Sequence, residues 1–192
     1  MKICVFAASS NKPDPTFKEA AALAGTILAA HGHSLVFGGG AQGLMGAIAK
    51  TAHEGGTRIL GIAPKLFDKP GVLFKDCDQF IFSMHMRERK ELMEVNSDAC
   101  LVLPGGIGTY DEFFELVTLK QLGQTDRPIV VLNTNGYFNK LQKFLEASIE
   151  DGFISSDVLK LYTLADTPEE AFEALESYEK RGNEPIFDLG NH

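Results

Sequence analysis

The chain has 192 residues, 44% of them hydrophobic and 23% charged. That is enough to close one full core, and no shift in composition marks a second domain. A formal net charge of −8 excludes broad contact with nucleic acid or an anionic membrane surface, so any anion site must be local. The three cysteines, Cys4, Cys77 and Cys100, lack CxxC spacing, and no run approaches the roughly 20 apolar residues that span a bilayer. Free thiols in a cytoplasmic protein are expected.

Lys2 to Ala8 reads as a first strand opening into the polar loop Ser9-Ser10-Asn11. Asp14-Pro15 supplies an N-cap and a first-turn proline for a helix over Phe17 to His31, stopped by Gly32. His31 and His33 flank that stop, and with no third ligand at metal spacing they read as helix-end surface residues. A second strand, Ser34 to Phe37, is followed by Gly38-Gly39-Gly40-Ala41-Gln42-Gly43 and a helix over Leu44 to Glu54. The pattern is G-x-G-x-x-G. The next strand, Arg58 to Ala63, ends in Pro64-Lys65 with no carboxylate to hold ribose hydroxyls, which argues against a dinucleotide site. The glycines then either bare the backbone to a nucleotide or serve close packing of helix on strand.

Residues 65–78 have mixed charge, Pro70-Gly71 and no period, and read as a long binding loop. Gln79 to Ser83 is a short strand, and Met84 to Asn96 a helix with Arg87, Arg89 and Lys90 in its first half. Cations there oppose the helix dipole unless something negative is near. They form either a solvated face, helped by the pairs Arg87/Glu91 and Lys90/Glu94, or a grip on a phosphate or base.

Ala99 to Leu103 suits a strand buried on both faces, and Asp111 to Gln121 has helical spacing. Between them, Pro104 to Thr109 forms a strand-to-helix turn. Gly105, Gly106 and Gly108 permit positive φ and leave no Cβ between backbone N–H groups and an anion, and the Thr109 hydroxyl adds a donor. Glu112 either closes a capping box with Thr109 or faces the sugar of a phosphate held in the turn. Gly123 ends this helix, Pro128 to Leu132 is a further strand reaching Asn133, Gly136 to Gly152 a helix and Leu161 to Leu164 a short strand. A last helix, Pro168 to Arg181, is capped by Thr167, and a polar tail follows from Gly182. Phe113, Phe114 and Val117 suit either core or interface. The alternation predicts one α/β domain over residues 1–181, a doubly wound, Rossmann-like parallel sheet with helices on both faces, and a tail over 182–192. Ligands of such sheets bind beyond the carboxyl ends of the strands, where Ser9-Ser10, Gly38 to Gly43 and Gly105 to Thr109 all fall.

The chain resembles the Lonely Guy family of phosphoribohydrolases. Its signature, Pro-Gly-Gly-x-Gly-Thr-x-x-Glu, occurs intact as Pro104 to Glu112. Supporting pieces are Ser9-Ser10, Leu35 to Gly40, Gly43-Leu44-Met45-Gly46, Arg89-Lys90, Gln121-Leu122-Gly123, Asn133 and Gly136-Tyr137. The resemblance implies that Arg89 and Glu112 are the catalytic pair. It implies that Lys90, Gly105, Gly106, Ile107, Gly108 and Thr109 bind substrate, joined by Ser9, Gly39 and Gly40 at neighbouring strand ends. Thr118 is also implied as a contact. It lies about 240° around the helix from Glu112 at roughly 100° per residue, so it would serve a neighbouring chain's pocket in a homodimer. Arg87 stands at the family's usual histidine position and His85 two residues earlier, while Arg89 and Lys90 keep register.

The implied reaction is hydrolysis of the N-glycosidic bond of a purine nucleoside 5′-monophosphate, either AMP or an N6-modified, cytokinin-type AMP. Its products are the free base and ribose 5-phosphate, with no metal and no cofactor. Two alternatives stay open: an AMP nucleosidase without preference for prenylated adenine, and a nucleotide-binding regulatory or carrier module without turnover.

Overall fold

The computed structural model describes residues 1–180, 182 and 185. Seven strands form one parallel sheet: β1 (Lys2–Phe6), β2 (Ser34–Phe37), β3 (Ile59–Pro64), β4 (Gln79–Ser83), β5 (Ala99–Val102), β6 (Ile129–Leu132) and β7 (Thr163–Ala165), in the order β4-β3-β2-β1-β5-β6-β7. From β1 the chain first winds outward through β4, then crosses back to lay β5 on the other flank of β1. The β1/β5 boundary is thus the switch point, where adjacent crossovers leave in opposite directions and open a crevice. The expected α/β architecture is observed. Among the described residues no helix is long and apolar enough to cross a membrane.

Alternation along the strands divides the core in two. Ile3, Val5, Leu35, Phe37 and Leu101 point to one face, covered by α1 (Pro15–Ala30), α2 (Gly43–Glu54) and α6 (Pro168–Glu176). Cys4, Phe6, Val36, Cys100 and Val102 point to the other, where α3 (Met86–Val95), α4 (Ile107–Gln121) and α5 (Asn139–Glu150) lie. Phe113 and Val117 belong to this second core, and Phe114 packs against it. Cys4 and Cys100, in register on adjacent strands, are buried free thiols, and Cys77 is half-buried and free. The close approach of α1 and α2 depends on Gly25, where an added Cβ would meet the Thr51 hydroxyl and the Ile48 carbonyl.

Element ends differ from expectation for identifiable reasons. β1 stops at Phe6 because the Ala8 N–H leaves the ladder for the Pro104 carbonyl, 3.1 Å away. α3 starts at Met86 instead of Met84, whose N–H donates to the Glu88 carboxylate at 2.6 Å. The helix expected from Gly136 is a single 3-10 turn, Thr134–Gly136, followed by α5 from Asn139. The Asn133 side chain forces that break by accepting from the Phe138 N–H at 2.8 Å. The strand expected at Leu161 starts at Thr163, after a 3-10 turn over Ser156–Lys160. α6 ends at Glu176, short of the expected Arg181. Arg181 and most of the expected tail lie outside the described residues.

Candidate active site

Three strand ends and one loop enclose a cavity of about 480 Å³ beside the β1/β5 switch point. The ends of β1 and β2 contribute Ser9, Gly38 and Gly40, and the turn after β5 contributes Gly106, Gly108 and Thr109. The 65–78 loop folds over the glycine segment through backbone bonds, Ala41 N–H to Val72 O at 2.9 Å and Phe74 N–H to Gly39 O at 2.8 Å. Phe67, Val72 and Leu73 thereby form one wall.

The glycine turn merges with the helix after it. α4 begins at Ile107 with Gly106 as its N-cap, four residues earlier than the spacing of apolar residues suggests. Thr109 is therefore already inside the first turn, and the capping box expected between Thr109 and Glu112 does not form. None of Gly105, Gly106 and Gly108 has positive φ, so these glycines serve close approach instead of an unusual backbone conformation. Gly105 makes room for the Thr109 hydroxyl, onto which its Cβ would fall, while positions 106 and 108 are open. The first helical amide to bond inside α4 is Tyr110 N–H to Gly106 O at 3.1 Å, which leaves the preceding amides without helical acceptors beside the cavity. Behind the turn, the Tyr137 hydroxyl donates to Gly105 O at 2.6 Å and pairs with the Tyr110 hydroxyl at 2.8 Å.

Glu112, one turn further along α4, meets Arg89 of α3 in a buried pair, Nη1 to Oε1 at 2.5 Å, with both side chains 8% exposed. Arg89 Nε also donates to the Ile62 carbonyl at 3.3 Å. A Cβ on Gly38 would fall on Arg89 Nη2, so the first glycine after β2 is the space the guanidinium occupies. Burial pushes the Glu112 carboxyl above the usual glutamate value, and the opposing pull of Arg89 does not cancel it. Such a carboxylate, at a cavity wall and raised by burial, is suited to proton transfer.

The other candidates divide. Ser9, Gly40, Gly106, Gly108 and Thr109 line the cavity together with Arg89 and Glu112. Gly39, at φ +73°, packs on the Phe80 ring next to it. Ile107 is 81% exposed and Gly105 lies under Thr109. Lys90 turns away to Asp111 at 3.0 Å and Glu115 at 2.5 Å. Partial burial works to lower the Lys90 pKa, but those two carboxylates hold it above the ordinary lysine value. Glu94 pairs with Arg127 at 2.8 Å instead of with Lys90. Thr118 is exposed and bonded back to Phe114 O at 2.7 Å. Residues not anticipated are Gln42, Met45 and Met86, which line the cavity. Met45 carried a signal in Gly43-Leu44-Met45-Gly46, and Gln42 one in the Gly38 to Gly43 run. Among the described residues no lysine and no cysteine or histidine lines this cavity.

A family model described as "Possible lysine decarboxylase" matches residues 45–175. "Probable cytokinin riboside 5'-monophosphate phosphoribohydrolase LOGL6" of Oryza sativa subsp. japonica is 36% identical over 185 residues, 96% of this chain and 74% of that protein. "Cytokinin riboside 5'-monophosphate phosphoribohydrolase LOG3" of Arabidopsis thaliana is 37% identical over 177 residues, 92% of this chain and 82% of that protein. The chain belongs to the Lonely Guy family. The chain shares its fold with a wider set of solved structures. The molybdenum cofactor carrier protein of Chlamydomonas reinhardtii superposes with a TM-score of 0.70 at 23% identity, over 91% of this chain and 95% of that one. The molybdenum cofactor binding protein of Rippkaea orientalis gives 0.68 at 20% identity, over 92% and 94%. At those identities the likeness concerns the fold alone. The decarboxylase description of the family model finds no lysine in this cavity to carry a carbonyl cofactor.

Proposed function

We propose that this protein is a nucleoside 5′-monophosphate phosphoribohydrolase, which adds water across the N-glycosidic bond of a purine nucleotide to give free base and ribose 5-phosphate. The relatives named as phosphoribohydrolases, aligned over more than nine-tenths of this chain, support the activity. The observation that carries the residue roles is the buried Arg89–Glu112 pair at the wall of a cavity that also holds the α4 N-terminus.

In this reading the 5′-phosphate sits on the amides and hydroxyl of the Gly106 to Thr109 turn, where the helix dipole favours an anion. As the C1′–N9 bond breaks, its electron pair leaves with the base and the ribose acquires oxocarbenium character. Ionised Glu112 stabilises that charge and takes a proton from the water that attacks C1′. Arg89 keeps Glu112 oriented and ionised. The departing base takes a proton at nitrogen from solvent, to which Glu112 returns the one it took, so that one water is added in sum; the phosphate grip, remote from the bond broken, supplies the binding energy that fixes the sugar.

The apolar wall of Phe67, Val72 and Leu73 favours a base with an apolar N6 substituent over plain adenine. Lys90 and Thr118 stand outside the chain's own cavity, and a homodimer that lays α4 against a partner's site would bring Thr118 into use. Incubation with AMP and with isopentenyladenosine 5′-monophosphate, followed by chromatography of the free bases, tests the activity. Both bases are expected, with the isopentenyl nucleotide turned over faster. Binding of AMP without release of either base would leave only the carrier reading, and equal rates would remove the preference. Sedimentation should give twice the 20.9 kDa chain mass, and a monomer that is fully active would sink the shared site.

A further inference from the structure

At the amino edge of the sheet, opposite the cavity, three side chains far apart in sequence converge. His31 caps the end of α1, His33 precedes β2, and Glu176 is the last residue of α6. Gly32, at φ +69°, turns the chain so that both rings face one carboxylate oxygen. His31 Nδ1 lies 2.7 Å from Glu176 Oε1, and His33 Nε2 lies 2.8 Å from the same atom. All three donor atoms are within 4.8 Å of one another.

The rings are held in place. His33, its side chain 9% exposed, stacks on the fully buried Phe172 with 10° between planes, and His31 meets the same ring edge-on at 65°. The other nitrogen of His33, Nδ1, lies 3.2 Å from the Met1 amine. Glu169 and Glu173 border the same hollow and add negative charge without occupying the donor positions.

Two imidazole nitrogens and one carboxylate oxygen are the donor set of zinc and related divalent ions. Bonds of roughly 2.0–2.1 Å to a tetrahedral ion set neighbouring donors about 3.3 Å apart. Glu176, whose side chain is 38% exposed, can retreat a few tenths of an ångström, and the exposed His31 ring can turn toward His33, which stays stacked on Phe172. We propose that His31, His33 and Glu176 bind one divalent transition-metal ion, which clasps α6 to the junction of α1 and β2. The local sequence offers only two of the ligands. The third arrives through the fold, 143 residues after His33; His31 is the exposed helix-end residue expected, while the His33 side chain is buried.

The test uses the full chain, stripped with chelator and titrated at pH 7.5 with Co2+, then with Zn2+ in competition. One equivalent of Co2+ is expected to give visible absorption bands of low-symmetry N/O coordination, displaced by Zn2+. Zinc at about 100 times its Kd should raise Tm by about 5 °C. Glu176→Gln preserves shape and hydrogen bonding, and His31→Asn changes an exposed ring. Both should fold, weaken uptake roughly 10-fold or more, and at the same zinc concentration cut the rise in Tm to about half or less. Absence of a cobalt spectrum in the wild type would overturn the site. Uptake unchanged in both variants would also overturn it, by placing the metal elsewhere.

Discussion

Glu112→Gln is expected to lower turnover about 10³-fold while nucleotide binding persists, since a positioned acid or base contributes roughly 10²–10⁴-fold. The amide keeps the side chain's size and an acceptor for Arg89 Nη1 but removes the charge that faces a developing oxocarbenium ion. Equilibrium binding of AMP alongside single-turnover base release separates the two effects, and activity within about tenfold of wild type would remove Glu112 from the chemistry. The pH dependence carries a sign. Glu112 is raised above 4.5 by burial, so its ionised form, and with it kcat/KM, should rise through a limb above the ordinary glutamate range. For stability, the favourable contribution of a raised carboxyl is present below about pH 4.5 and is lost as pH rises through the raised value. Wild type should therefore lose stability over that window relative to Glu112→Gln. Gly38→Ala approaches the same pair from behind. Its methyl lands on Arg89 Nη2, and displacement of the guanidinium should cost about 10²-fold in kcat with the Glu112 charge untouched.

Much of this site was legible before the fold. The strands are runs of apolar residues whose alternation decides which face each side chain joins, as Ile3 and Val5 against Cys4 and Phe6 illustrate. The glycine clusters fall at strand ends, where Gly38 makes room for Arg89 and Gly105 for Thr109. Other features depend on distant partners. The start of α3 is set by Glu88 reaching back to Met84, and the break before α5 by the Asn133 side chain. Lys90 has an i,i+4 partner in its own helix, Glu94, yet pairs across to Asp111 and Glu115, since α4 packs beside it. Arg89 and Lys90 are adjacent in sequence and about 100° apart on a helix, enough to send one into the cavity wall and the other away. The cluster of His31, His33 and Glu176 showed only its two histidines locally, because α6 returns to α1 only after the whole sheet is wound.

The largest loss of stability is expected from Gly43→Ala, at the knot that holds the β1 and β2 ends together. Gly43 has φ +64°, and its added Cβ would stand 2.5 Å from Ala8 O, 2.6 Å from Ser9 C and 2.8 Å from Ser10 O. These neighbours are backbone and cannot swing aside. Gly43 N–H donates to Asn11 Oδ1 at 2.9 Å, and Met45 N–H to Ala8 O at 3.1 Å, so moving the loop breaks bonds that set the cavity wall. Left-handed strain of about 1–3 kcal/mol and overpacking of about 1–3 kcal/mol together predict a loss of about 4 kcal/mol, or about 10 °C in Tm for a chain of this size. Gly56 is the matched control. It has φ +78° with nothing within 4 Å of its Cβ, so Gly56→Ala should show the backbone cost alone, about 1–2 kcal/mol. Denaturant melts of the two variants read the difference as the steric part. If they lose equal stability, the loops after β1 and β2 are not locked at Gly43. If Gly43→Ala also raises KM for AMP while Gly56→Ala does not, the same knot that stabilises the sheet edge is holding Ser9 and Met45 in the substrate cavity.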